Sequence, residues 1–214
     1  MVQEFYKKLV KSIYENEGTF LKCGSDNYSY KQLRKVLEGF LWQFSQIERQ
    51  PIVIIAEKSL EMYAAIIAII LTNNIWVPLS PQIGAKRLSS ILNRVNPKYI
   101  ISDEITYSKL PSLEGTLANN IVIFNHLLEN AKRLKPNTLK DVVVSEETAM
   151  IYFTSGSTGE PKGVLISHQS YIVNVTDMLR IIDYGKNKVF ADIHDTSFVI
   201  SIPVIFPCIV LGGT

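Results

Sequence analysis

The sequence predicts an α/β fold, a largely parallel sheet flanked by helices, and three observations carry that expectation. Short β-branched runs of strand length recur along the chain, and stretches with apolar residues at helical spacing alternate with them. Strands separated by helix-length segments imply βαβ crossovers, so the sheet is parallel and covered on both faces. A composition of 47% hydrophobic and 20% charged residues over 214 positions provides enough apolar surface for a substantial core and excludes a disordered chain.

Taken in order, Phe5, Leu9 and Ile13 recur at helical spacing near the start. From Tyr30 the pattern returns with Leu33, Leu37, Phe40, Leu41 and Phe44, and Ser29 followed by Gln32 is a capping-box signature for this second helix. "PIVIIAE" (51–57) reads as a buried strand, with Ser59 placed to cap the apolar helix after it. "IWVPLS" (75–80), "KYIISD" (98–103) and "NIVIF" (120–124) are further strands, and Leu88, Ile91, Leu92 and Val95 make 85–95 a helix. The polar segment 134–147, which carries Pro136, reads as a surface connection into the strand "AMIYFT" (149–154). Ser167 is placed to cap a helix beginning at His168.

Several function classes fall away on composition. A net charge of +2 with no dense basic run leaves no electrostatic footprint for nucleic acid or an anionic membrane. "MYAAIIAIIL" (62–71) is well short of the roughly 20 residues a spanning helix needs, and "SFVISIPVIFPCIVLGG" (197–213) is interrupted by Pro203 and Pro207, each of which removes a helix hydrogen bond. Glu4 lies where a signal peptide would be basic or apolar, and Cys23 and Cys208 have neither metal-type nor disulfide-framework spacing. The expectation is a cytoplasmic protein. His126, His168 and His194 are scattered, so no metal site is expected. A Ser-His-Asp hydrolase built from Asp192, His194 or Asp195 with Ser197 or Ser201 lacks a nucleophile elbow.

The densest chemical signal is "TSGSTGEPKG" (154–163), between two strand-like runs. Successive backbone N–H groups in a Gly-rich turn form a concave anion site, and Ser or Thr hydroxyls add donors that rotate onto phosphate oxygens. Gly156, Gly159 and Gly163 let the backbone approach a ligand closely. A Walker loop would need Gly-Lys-Ser/Thr and then a helix, whereas here Pro161 precedes Lys162 and "GVLIS" is strand-like. The glycine spacing also rules out the kinase loop and the dinucleotide fingerprint.

This loop resembles the phosphate loop of the adenylate-forming superfamily, which includes acyl- and aryl-CoA synthetases, luciferases, D-alanine–carrier-protein ligases and nonribosomal peptide synthetase adenylation domains. "YSYKQL" (28–33) and "NNIWVPLSPQIGAKRLSSIL" (73–92) are similar to early family segments, and "SFVISIPVIFPCIVLGGT" (197–214) resembles the acid-pocket segment, whose usual form is Phe-Asp-x-Ser. The resemblance covers nearly the whole chain but only the opening part of the family's large N-terminal domain. It implies attack of a carboxylate on the α-phosphorus of Mg·ATP, followed by transfer of the acyl group to CoA or a carrier-protein pantetheine thiol. It also implies that Thr154, Ser155, Gly156, Ser157, Thr158 and Gly159 hold the phosphates, that Thr158 and Lys162 act in catalysis, and that Phe198 and Val199 border the acid. Without the family's adenine, ribose and catalytic-lysine segments, the 214 residues alone are expected to be inactive. Two other readings are a non-catalytic phosphate- or nucleotide-binding module and an unrelated phosphotransferase. An amino-acid-activating, D-alanine-like domain is the alternative within the family.

Overall fold

Alternation along one strand divides the core in two. In β3 (Pro51–Ile55), Ile52 and Ile54 belong to one buried cluster while Val53 and Ile55 belong to another, the period of two that puts successive side chains on opposite sheet faces. The computed structural model describes residues 1–110, 120–131, 147–155, 160–185 and 188–214. The expected surface connection at 134–147 lies, apart from its last residue, outside them.

Six strands form the main sheet. In spatial order they are β6 (Ile121–Ile123), β5 (Tyr99–Ser102), β3, β4 (Ile75–Pro78), β7 (Thr148–Ser155) and β8 (Pro161–Ser167). All neighbours are parallel except β7 and β8, which form an antiparallel hairpin. The chain steps from β3 to β4 through α3 (Leu60–Leu71), then back past β3 to β5 through α4 (Ala85–Val95). Right-handed crossovers running in opposite directions put the two helices on opposite faces. Accordingly, α3 packs with Ile52, Ile54 and Trp76, and α4 packs through Leu88, Ile91 and Leu92 with Val53, Ile55 and Val77.

The expected helices form for the expected reasons. In α1 (Val2–Glu15), Phe5, Leu9 and Ile13 are buried along one stripe. In α2 (Tyr30–Phe44), the Ser29 Oγ accepts from the Gln32 backbone N–H and the Gln32 Oε1 accepts from the Ser29 N–H, completing the capping box. Ser59 caps α3, which is buried on nearly every side, with only Glu61 among its residues outside the core. Ser167 caps α7 (His168–Ile181).

Other elements were not expected. A small antiparallel hairpin, β1 (Thr19–Cys23) and β2 (Asp26–Ser29), turns at Gly24 with φ of 59°. Short helices α5 (Glu104–Lys109) and α6 (Phe124–Ala131) follow β5 and β6. The doubly proline-marked run, where each proline was expected to remove a helix hydrogen bond, contains a short helix, α8 (Ile202–Val210), in which only Pro207 does so. Pro203 sits in the first turn, where backbone donors are free in any case, and Pro207 is tolerated within a helix of nine buried or half-buried residues. No helix among the described residues is long and apolar enough to cross a membrane.

Candidate functional site

The hairpin of β7 and β8 brings the two ends of the glycine-rich loop together. Thr154 pairs with Lys162, and Ser155 with Pro161 as the last pair before the tip. Thr154 and the Lys162 side chain are exposed, and the Thr154 hydroxyl points to the Lys162 carbonyl at 3.5 Å. Gly163 sits in tight packing: a Cβ there would lie 3.2 Å from Ile151 Cγ2 and 3.3 Å from the Phe153 ring, so these side chains would have to give way by a few tenths of an ångström. Gly156, Ser157, Thr158 and Gly159, all expected phosphate ligands, lie outside the described residues.

A cleft of about 670 Å³ opens at the carboxyl ends of β4 and β7. In parallel α/β sheets, ligands bind in the crevice outside the carboxyl ends of the strands. Its walls come from four stretches of chain: Pro78 to Ile91, Tyr152 to Thr154, Val164 with Ile166, and Asp195 to Val199. Thr154, Phe198 and Val199, expected from separate motifs, therefore meet at one cavity. Phe198 is 64% exposed and Val199 53% exposed, an uncommon display of apolar surface for side chains that line a cavity.

The polar groups of the cleft are held firmly. Asp195 accepts from the Ser80 hydroxyl at 2.6 Å and from the Ser197 backbone N–H at 2.8 Å. Burial works to raise the Asp195 carboxyl, but the hydrogen bonds from Ser80 and Ser197, with the Lys58 ammonium nearby, outweigh it and leave it below the usual carboxylate range. The Tyr152 hydroxyl lies 3.3 Å from the Ser201 Oγ, and burial pushes the phenol above its ordinary range. Behind the cleft, Lys58 forms a 3.1 Å ion pair with Asp192, whose other oxygen accepts from the Tyr63 hydroxyl at 2.6 Å, anchoring the 192–199 segment to α3.

Residues of the imagined hydrolase are not assembled for that chemistry. Ser201 is buried and donates to the Phe198 carbonyl at 2.9 Å, while His194 is exposed. His168 lies in the core, bonded to Tyr6. Ser80 and Arg87 were not singled out from the sequence; their only signal was their position inside the family-like 73–92 segment.

The profile of the family described as AMP-binding enzyme matches residues 16–214. The chain belongs to the AMP-binding enzyme family. Over 191 residues it is 28% identical to the D-alanine–D-alanyl carrier protein ligase of Staphylococcus aureus, covering 89% of this chain and 37% of that protein. It is 25% identical over 194 residues to malpinin synthetase of Mortierella alpina, covering 89% of this chain and 2% of that protein. In fold it matches the AMPPNP-bound nonribosomal peptide synthetase FmoA3 with a TM-score of 0.82 at 17% identity, over 100% of this chain and 22% of the other. The chain thus spans little more than a third, or far less, of these AMP-binding relatives.

Proposed function

We propose that this chain provides the phosphate-loop and acid-pocket portion of the N-terminal domain of an ATP-dependent, AMP-forming carboxylate ligase. The observation that carries the reading is the convergence of Thr154, at the entry to the glycine-rich loop, with Phe198 and Val199 on one cleft at the carboxyl ends of the sheet. In this reading a carboxylate oxygen attacks the α-phosphorus of ATP, giving an acyl-adenylate as pyrophosphate leaves. A thiol, of CoA or of a carrier-protein pantetheine, then takes the acyl group and releases AMP. Hydroxyl and amide donors from 154–159 and the Lys162 ammonium stabilise the charge that develops on pyrophosphate. The described residues gather no group of three or more His, Cys, Asp or Glu side chains suited to a metal ion, and Mg²⁺ would be held mainly by the nucleotide's own phosphates.

The test is carboxylate-dependent exchange of labelled pyrophosphate into ATP by the full-length protein. Exchange is the expected outcome, with AMP released once an acceptor thiol is supplied and no exchange from the 214 residues alone. ADP as product would identify a phosphotransferase, and ATP binding without exchange would identify a non-catalytic module. A second reading within the family, activation of an amino acid, has one observation in its favour: Asp195, held ionised, lines the same cleft as Val199.

A further inference from the structure

Helix α4 makes contacts that its role as a crossover does not require. Its inner side carries Leu88, Ile91 and Leu92 into the core beneath the sheet, where Ile151 and Phe153 of β7 pack against the same cluster. Arg87, Ser90 and Arg94 follow one another at intervals of three and four, the spacing that aligns side chains along one helix face. The Arg87 Nη2 donates to the Phe153 carbonyl at 3.3 Å. The Ser90 hydroxyl donates to the Glu160 Oε2 at 3.0 Å, and the Arg94 Nη2 lies 3.8 Å from the same oxygen. One helix face therefore touches the chain on both flanks of the glycine-rich loop, at Phe153 where it is entered and at Glu160 where it is left.

We infer that α4 is a positioning element for the phosphate loop, with Arg87, Ser90, Arg94 and Glu160 fixing where the loop's two ends stand; this rests on the functional reading above only for what the loop binds. The physical need is clear. A glycine-rich segment has much conformational freedom to lose, and donors aimed at developing charge are effective only when already in place. The hairpin ladder ends at the Ser155–Pro161 pair, and β7 is tied to β4 at Met150, paired with Trp76 and well before the loop, so the strands' hydrogen bonds give no fixed reference close to the loop. Helix α4 does, because its apolar side is locked in the core. Arg94 and Glu160 are each more than half exposed, and exposed ion pairs contribute little to global stability. Their effect is local placement.

The experiment compares the full-length protein with Arg87→Ala, Glu160→Ala, Ser90→Ala and the exchanged pair Arg94→Glu with Glu160→Arg. Hydrogen exchange by mass spectrometry reads the amides flanking the loop without any need for activity, and the KM for ATP in pyrophosphate exchange reads the function. Arg87→Ala and Glu160→Ala are expected to speed exchange of the flanking amides about tenfold, the size of one lost charge-assisted hydrogen bond. The KM for ATP should rise by a similar factor, with the melting temperature unchanged. Adding Ser90→Ala to Glu160→Ala should change nothing further, since both remove one contact, and the exchanged pair should recover part of the loss. Unchanged flanking amides in both single variants would overturn the inference, as would an equal acceleration across the whole chain. If the unmodified protein lacks pyrophosphate exchange but the variants still loosen the flanks, the positioning role stands and the functional reading falls.

Discussion

His168 puts an imidazole into the core. Its Nδ1 lies 2.5 Å from the Tyr6 hydroxyl, which also contacts the Tyr171 hydroxyl, and its Nε2 is buried with no hydrogen-bond partner among the described residues. Burial holds the ring neutral, lowering its pKa from 6.5 to about 4. The unfolded chain therefore binds more protons than the folded one between those values, so the stabilisation is complete above about 6.5 and is lost as pH falls toward about 4. Urea unfolding at pH 7 and pH 5 should show the protein losing roughly 2 kcal/mol more than a His168→Gln variant over that interval. Equal losses would mean that the ring protonates normally in the fold. The Ser167 cap could be read from the sequence because a cap is local. Tyr6 could not be named as the partner of His168 because it lies 162 residues away.

Lys162 belongs to the same scale and behaves oppositely. Its side chain is exposed at the end of a hairpin and has few core contacts to lose. Lys162→Ala and Thr158→Ala in the full-length protein should slow adenylation by roughly 10²–10³, the usual cost of removing one preorganised donor, with an unchanged melting temperature. Unchanged turnover in both variants would reduce the loop to a connector.

At the scale of elements, legibility followed length and periodicity. Helices α1, α2 and α4 declared themselves through apolar residues repeated at helical spacing, α3 through an uninterrupted apolar run of helix length, and the strands through short β-branched runs bounded by turn or charged residues. The hairpin of β1 and β2 was missed: neither strand carries a β-branched run, and Phe20 is its one buried residue. Helix α8 was obscured by its prolines, whose cost is offset by burial of Ile202, Ile205, Phe206 and Ile209. The capping box of α2 gives a quantitative check. Ser29→Ala removes the acceptor for the Gln32 N–H and should lower stability by about 0.5–2 kcal/mol in denaturant titration, a loss that Ser29→Asp should largely avoid because aspartate is an equally good N-cap. Equal losses in the two variants would show that the hydrogen bond at this cap is not what fixes the start of the helix.

At the scale of the whole molecule, the cleft is a product of topology. No single segment builds it: β4 and α4 contribute one wall, the β7–β8 hairpin a second, and the 195–199 segment a third, held to α3 through the bond from Tyr63 to Asp192. The sequence could supply the pieces through their resemblance to family motifs but not their meeting, which depends on the strand order. That meeting bears on the acid. Where amino-acid-activating relatives are expected to carry Phe-Asp-x-Ser, this chain has Phe198-Val199-Ile200-Ser201, and Val199 cannot pair with an α-ammonium. An ammonium buried against valine would be left without a counter-charge, at a penalty of several kcal/mol even after relaxation. Among the described residues Asp195 is the one carboxylate lining the cleft, and both its oxygens already accept hydrogen bonds, from Ser80 and from the Ser197 backbone. Recruiting it to a substrate would compete with the contacts that hold this wall in place. We therefore expect a carboxylic acid without an α-amino group, such as a fatty, aryl, hydroxy or keto acid. A pyrophosphate-exchange panel of the full-length protein, pairing amino acids with their deaminated counterparts, tests this: preference for the deaminated member is the expected result. Preference for an α-amino acid that is abolished by Asp195→Asn would instead assign the missing charge to Asp195.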